Sequence, residues 1–293
     1  MRLPRIGRVH CFENVSKRVG GRKVTRMTIS LKAGRWYASL SVEEPEPKTA
    51  RSHHTDVIGV DLGVKTLAVL SDGTEVPNPR NYDRGLKRLA KAQRTLARRK
   101  EGSAGYWRAR RRVQRVHARI AAQRRDGLDK LALDLVRNHG VIAIESLNVR
   151  GMMANHRLAR SIGDAGFAML AGLLEAKAPE HGVRVFRMDR WYPSSKKCSN
   201  CGRVKAKLGL DERTYVCEGC GLRINRDLNA AINLRHVAMS AMETLNARGG
   251  DVSRSGLKSR TTRTPVKREP SGDASRVRLG AGLGNGAMRT TSL

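Results

Sequence analysis

Polar and apolar residues alternate in short bursts at the start of the chain, as in Arg26-Met27-Thr28-Ile29-Ser30-Leu31 and Trp36-Tyr37-Ala38-Ser39-Leu40-Ser41-Val42, with glycine turns at Gly20-Gly21 and Gly34. A period of two sends successive side chains to opposite faces, so residues 1–44 are predicted to form a few antiparallel strands. Cys11 stands alone in this strand-like stretch and reads as a small apolar residue rather than a reactive thiol. Glu43-Glu44-Pro45-Glu46-Pro47 ends the alternation with linker composition. A new unit begins at Asp56 with the apolar runs Val57-Ile58-Gly59-Val60-Asp61-Leu62-Gly63 and Thr66-Leu67-Ala68-Val69-Leu70, two strands joined by a tight glycine turn, and a third strand is expected near Glu75-Val76.

From Asp83 to about Arg137 the apolar period changes to that of a helix. Leu86, Leu89 and Leu96, then Val113, Val116 and Ile120, then Leu128, Leu131 and Leu135 predict two long helices broken near Gly102 to Gly105. A buried-type strand, Val141-Ile142-Ala143-Ile144-Glu145, ends on a carboxylate. Beyond it the pattern predicts a polar loop, a helix from about Asp164 to His181, a strand at Val183-Arg184-Val185-Phe186, a cysteine-bearing segment and a helix from about Asp227 to Leu245. Residues 248–293 lose all periodicity and fill with Gly, Ser, Thr, Arg and Pro, the composition of a disordered basic tail. Strands alternating with helices make this an α/β chain.

Charge narrows the class of partner. The 293 residues carry 58 Lys+Arg against 26 Asp+Glu, a net +32, which self-repels unless a polyanion neutralises it. Residues 80–125 alone hold 17 bases and two acids. So one-sided a run exceeds what solubility asks of a solvated face, and it points to nucleic-acid backbone, with Arg110, Arg111, Arg112 and Arg115 as candidate contacts. Aromatics make up only 4 % of the chain, which argues against a binding mode built mainly on stacking many bases. No apolar run approaches the roughly 18 residues of a membrane span, and the first residues do not resemble a signal peptide, so a cytoplasmic protein is expected.

Four of the five cysteines fall in two C-x-x-C pairs, Cys198/Cys201 and Cys217/Cys220. In a reducing compartment that spacing indicates metal rather than disulfide, and four thiolates suit a tetrahedral Zn²⁺. With every position filled by protein, such an ion would fold a ribbon rather than catalyse. A glycine, Gly202 or Gly221, follows each pair where a knuckle needs backbone freedom.

Asp61, Glu145 and Asp227 form the second constellation. Each has an ordinary alternative: a turn residue, a strand-end charge, and the cap of the last helix, a place Asn225 would also fill. Taken together, however, the apolar strands before Asp61 and Glu145 carry both acids inward, where lone charges are costly. A cation must compensate, and clustered carboxylates suit Mg²⁺ or Mn²⁺.

Four segments in this order carry a family resemblance: Gly59-Val60-Asp61-Leu62-Gly63-Val64, Ile144-Glu145-Ser146-Leu147-Asn148-Val149, Pro193-Ser194-Ser195-Lys196 leading into Cys198, and Arg226-Asp227-Leu228-Asn229-Ala230-Ala231. Over about residues 55–247 the chain resembles TnpB, the transposon-encoded RNA-guided nuclease similar to the type V CRISPR effectors. The resemblance implies an RNase H-like (RuvC) core whose metal-binding triad is Asp61, Glu145 and Asp227. It also implies a zinc ribbon inserted before the third acid, and a guide RNA from the transposon end that directs cutting of matching DNA. The implied divisions are a partial wedge domain and linker at 1–50, the first part of the core at 51–193 with its helical hairpin at 83–137, the ribbon at 194–222, the last part of the core at 223–247 and the tail. Residues 1–44 resemble only the closing strands of the family's wedge domain, so the helical recognition domain before them is expected to be missing. Three readings follow: a divalent-metal endonuclease, a nucleic-acid-binding protein that does not cut, and a degenerate transposon remnant.

Overall fold

In the computed structural model, residues 2–3, 7–43, 56–209 and 211–247 are described. Two short strands, β1 (Arg2–Leu3) and β2 (Gly7–Arg8), pair antiparallel, and the short helix α1 (Val15–Val19) starts at Asn14, whose side chain accepts from the Lys17 N–H. The predicted alternating segments form the antiparallel hairpin β3 (Val24–Lys32) and β4 (Arg35–Val42). Cys11 lies after β2 in irregular backbone rather than in a strand, because no neighbouring strand among the described residues pairs with its segment. All but Glu43 of the predicted linker, and the tail from 248, lie outside the described residues.

The core is a five-stranded mixed sheet in the order β7-β6-β5-β8-β9. Strands β5 (Val57–Leu62), β8 (Val141–Glu145) and β9 (Arg184–Met188) run parallel, while β6 (Thr66–Leu70) and β7 (Glu75–Pro77) continue antiparallel from β5. The pleat sorts the side chains. Ile58, Val60, Ile142 and Ile144 face a cluster built with Leu128, Leu135, Ile162, Leu170 and Leu174. Val57, Val141 and Ala143 face the other way, against Leu234 and Ala238 of the last helix.

The helical stretch is a hairpin of α2 (Asn81–Ala97) and α3 (Ala104–Asn138), with Ser103 capping the second helix. Leu89 and Ala92 pack on Val116 and Ile120 within the hairpin, and the carboxyl-terminal part of α3 lies on the sheet. Asp164 joins hairpin to core: it is buried, pairs with Arg124 at 2.9 Å and accepts the Tyr82 N–H at 2.8 Å.

Two expectations need correction. The polar loop after Glu145 contains helices α4 (Val149–Met153) and α5 (His156–Ala165), because Asn148 and Asn155 act as amino-terminal caps rather than turn residues. The single helix expected over 164–181 is divided at Gly166, whose left-handed φ of 72° ends α5 and opens α6 (Phe167–Lys177), followed by a 3₁₀ turn (Ala178–His181). A side chain at Gly166 would press on Leu128. The chain then forms the small hairpin β10 (Thr214–Val216) and β11 (Arg223–Asn225), and ends its described part in α7 (Arg226–Ala247).

Candidate functional site: an acid-lined cleft beside a four-cysteine knuckle

On β5, period two places Val57, Gly59 and Asp61 on the α7 face; on β8 it does the same for Val141, Ala143 and Glu145. Because β5 and β8 are parallel with Val60 opposite Ile144, the two acids emerge side by side at the same strand ends. Helix α7 crosses this face so closely that a Cβ on Gly59 would overlap the carbonyl oxygen of Ala231. Asp227 stands one helical turn before Ala231, as Asp61 stands two strand residues beyond Gly59, and these distances match at about 6 Å. One glycine contact therefore brings the third acid to the other two. Asn225 takes the cap, accepting from the Asp227 and Leu228 N–H groups at 2.8 and 3.2 Å, which leaves the Asp227 carboxylate free of that task.

Asp61, Glu145 and Asp227 line a single cleft together with Lys65, Ser195, Arg213 and Arg226. Burial, and then the negative charges of Glu145 and Asp227, push the Asp61 carboxyl well above the ordinary aspartate range, against a smaller opposing pull from Arg226. Arg213 lies 3.9 Å from Asp227. The Arg226 guanidinium is spent partly on the Gly209 carbonyl at 2.8 Å. Lys65, Arg213 and Arg226 thus share the cleft with the three acids, yet Asp61 keeps its raised pKa, and an oxygen-ligated divalent ion would relieve the repulsion that raises it.

Sequence reasoning gave no role to the groups that hold this cleft in place. The Ser194 hydroxyl donates to Glu145. Asn233, buried in α7, donates to the carbonyls of Ser194 and Lys197 at 2.8 and 2.7 Å. Asn229, with no exposed surface, donates to Lys197 at 2.7 Å and accepts from the Ser199 N–H at 2.9 Å. The signal was available: two asparagines four residues apart on an otherwise apolar helix face must find buried partners.

Those asparagines tie α7 to the cysteine segment. All four Sγ atoms of Cys198, Cys201, Cys217 and Cys220 lie within 4.8 Å of one another, so they could hold one metal ion. The two knuckles repeat one geometry. Cys198 N–H donates to Arg203 and Gly202 N–H returns to Cys198; Cys217 N–H donates to Leu222 and Gly221 N–H returns to Cys217. Gly202 and Gly221 adopt φ of 77° and 73°, the left-handed turn expected of them. The backbone N–H groups of Cys220 and Gly219 hold the Cys217 thiol down to about 6, which favours the thiolate that binds metal. Tyr215, fully buried beneath the knuckles, donates to the Lys196 carbonyl at 3.2 Å.

Arg110, Arg111, Arg112 and Arg115 are all exposed on α3, away from the face that packs on α2. They divide in their surroundings. Arg110 sits 5.1 Å over the Trp107 ring, while Arg111 and Arg115 lie beside Gly34 at the turn of the β3–β4 hairpin. No helix among the described residues is long and apolar enough to cross a membrane.

Residues 39–156 match the family described as "OrfB_IS605: Probable transposase", and residues 167–234 match "Cas12f1-like, TNB domain". A Streptomyces pristinaespiralis protein named "Putative RNA-guided DNA endonuclease" is 42 % identical over 85 % of this chain and 61 % of its own length. The chain belongs to the TnpB family. A second relative, "Putative RNA-guided DNA endonuclease InsQ" of Escherichia coli, is 31 % identical over 92 % of this chain and 66 % of its own length. Among solved structures, a CRISPR-Cas12f ternary complex aligns with a TM-score of 0.47 and 18 % identity, covering 74 % of this chain and 46 % of that one. The chain therefore spans about three fifths of the length of the TnpB relative from Streptomyces.

Proposed function

We propose that this chain carries the cutting centre of an RNA-guided DNA endonuclease, with an RNase H-like (RuvC) core split around a zinc ribbon at 194–222. The observation that carries the reading is the convergence of Asp61, Glu145 and Asp227 on one cleft, where burial and the two neighbouring carboxylates keep the Asp61 pKa raised despite the nearby cations. The names of the relatives agree with it. Asp61, Glu145 and Asp227 would hold Mg²⁺ or Mn²⁺, and Cys198, Cys201, Cys217 and Cys220 would hold a structural Zn²⁺. When bound, a pair of divalent ions supplies activated water and stabilises the leaving oxygen of a phosphodiester.

This chain's own residues prepare that chemistry. The Ser194 hydroxyl orients Glu145, and the cap at Asn225 frees Asp227. Lys65, Arg213 and Arg226 line the same cleft and attract a phosphate to it. The ribbon has no open ligand position and acts through Asn229 and Asn233, which fix residues 194–199 against α7. Arg110, Arg111, Arg112 and Arg115 would grip nucleic-acid backbone, and a guide RNA drawn from the transposon end would select the DNA.

The test measures cleavage of a matched plasmid by the protein supplied with transposon-end RNA and with the amino-terminal region of a full-length relative fused ahead of residue 1. Cutting should require Mg²⁺ or Mn²⁺ and should fall at least about a hundredfold in Asp61→Ala, Glu145→Ala and Asp227→Ala, with the fold retained. Wild-type rates in Asp61→Ala would place the chemistry elsewhere. An inactive fusion with all three acids present would favour a protein that binds without cutting, or a remnant.

A further inference from the structure

The cleft beside the three acids presents an aromatic ring that takes no part in holding them. Strand β9 ends at Met188, and the next residues form a fixed turn: Asp189 accepts the Trp191 N–H on its side chain at 2.7 Å and the Tyr192 N–H on its carbonyl at 3.1 Å. On the far side, the Ser194 N–H donates to the Tyr192 carbonyl at 2.8 Å, and Asn233 secures Ser194 in turn. Anchored at both ends, this turn holds the indole of Trp191 81 % exposed. The Arg190 guanidinium lies 5.5 Å from the ring centroid. Trp191 and Arg190 line a second cleft with Glu145, Ser146, Leu147 and Asn148. Glu145 is the shared wall: one cleft meets its carboxylate beside Asp61 and Asp227, and the other opens toward Trp191.

We propose that Trp191 is a stacking platform for one unpaired base of the DNA strand that enters the acid-lined cleft, with Arg190 taking a neighbouring phosphate. The proposal rests on the nuclease reading and adds a substrate contact to it. An indole left in water on a rigid turn offers a flat face at little ordering cost, and any base has a matching face, so such a contact is tolerant of sequence. Charge selects a polyanion over a protein surface, since residues 190–197 contain Arg190, Lys196 and Lys197 and no acid. A duplex keeps its bases stacked inside, so only an unpaired strand can use the ring. With a phosphate held at the acids, the adjoining base falls in the Trp191 cleft because Glu145 bounds both. The contact would fix which phosphodiester bond lies over the acids.

The test uses the zinc-loaded full chain in Ca²⁺, which suppresses cutting, with a dye-labelled single-stranded oligonucleotide of about a dozen nucleotides read by anisotropy at fixed salt. Trp191→Ala should weaken binding roughly 5- to 150-fold, the range for loss of one stacked base, while leaving the melting temperature unchanged because the ring is exposed. Trp191→Phe should restore most of the affinity. A duplex of the same sequence, and a strand whose bases are replaced by abasic sites, should bind wild type and Trp191→Ala equally. Arg190→Ala should lower the salt slope by about 0.7, the value for one phosphate contact on a single strand, whereas Trp191→Ala leaves it unchanged. Equal single-strand affinity in wild type and Trp191→Ala would overturn the platform, as would the same loss on the abasic strand. A wild-type chain that binds no DNA would overturn both the platform and the nuclease reading. If instead Asp61→Ala cut at the wild-type rate while Trp191→Ala lost single-strand affinity, the nuclease reading alone would fall.

Discussion

At Asp61 folding works against charge, because the chain gathers three carboxylates at one cleft where their mutual repulsion is unfavourable. Burial and the charges of Glu145 and Asp227 raise its pKa, so the folded state holds that proton more tightly than the unfolded chain does. A group raised in this way makes stability fall as pH rises, beginning near the unfolded aspartate value of about 3.9 and ending at the raised folded value. In the absence of divalent ions at neutral pH, Asp61→Asn is therefore expected to melt higher than wild type, by about 2–4 °C for each kcal/mol of repulsion relieved. Mg²⁺ should raise the wild-type midpoint and have less effect on the variant, and calorimetry with and without Mg²⁺ reads both. Gly59 sets the same cleft without touching it. A methyl group there meets the Ala231 carbonyl, which belongs to helix backbone and cannot rotate away. Gly59→Ala is expected to cost at least about 1–3 kcal/mol, the usual range for overpacking, and to displace Asp227 with α7. The signature is a lowered melting temperature together with lost cutting, where Asp227→Ala loses cutting alone.

Among the elements, those whose hydrophobic period is long and unbroken were legible: β5, β6, β8, the α2–α3 hairpin and α7 all lie where the pattern places them. The paired acids were legible for the same reason, since a period of two is enough to fix the face that Asp61 and Glu145 occupy. The capped short helices α4 and α5 were not, because five- and ten-residue helices give few apolar repeats and their Asn148 and Asn155 caps resemble turn residues. The bonds from α7 to residues 194–199 were hidden too, since Asn229 and Asn233 reveal partners only once chain distant in sequence packs beside them. That link has a consequence for the cysteine segment. A metal site with four protein ligands contributes its binding free energy to local folding, so elemental analysis should find one zinc per chain, and Cys198→Ser or Cys220→Ser should lose it and expose residues 194–222 to hydrogen exchange. Because Ser194 touches Glu145 and is held by Asn233, the disturbance should reach the acid cleft, and the cysteine variants should cut more slowly though they alter no acid. A folded protein purified without zinc would refute the ribbon.

For the whole molecule, the excess of charge is not spread evenly, with 17 bases and two acids over residues 80–125. The α2–α3 hairpin turns its apolar residues inward to Leu89, Ala92, Val116 and Ile120, so its many arginines and lysines have only the outer faces to occupy. Arg111 and Arg115 stand beside the β3–β4 turn, where Leu31 and Trp36 are also exposed, so helix and hairpin present one continuous surface of cations and apolar side chains. Arg110 extends it along α3 and rests on Trp107, and Arg112 stands exposed on the same helix. If that surface binds nucleic-acid backbone, replacing Arg110, Arg111, Arg112 and Arg115 together by glutamate should weaken binding at low salt. It should also flatten the dependence of affinity on salt, since each phosphate contact accounts for about 0.9 in the log–log slope on duplex DNA and about 0.7 on a single strand. A loss of all four contacts would lower the duplex slope by about 3.6. The four side chains are exposed, so the melting temperature should move little, and a circular dichroism melt shows whether weakened binding reflects the surface or the fold. An unchanged slope would make these arginines a solvated face and leave the cleft's own Lys65, Arg213 and Arg226 to attract the phosphates.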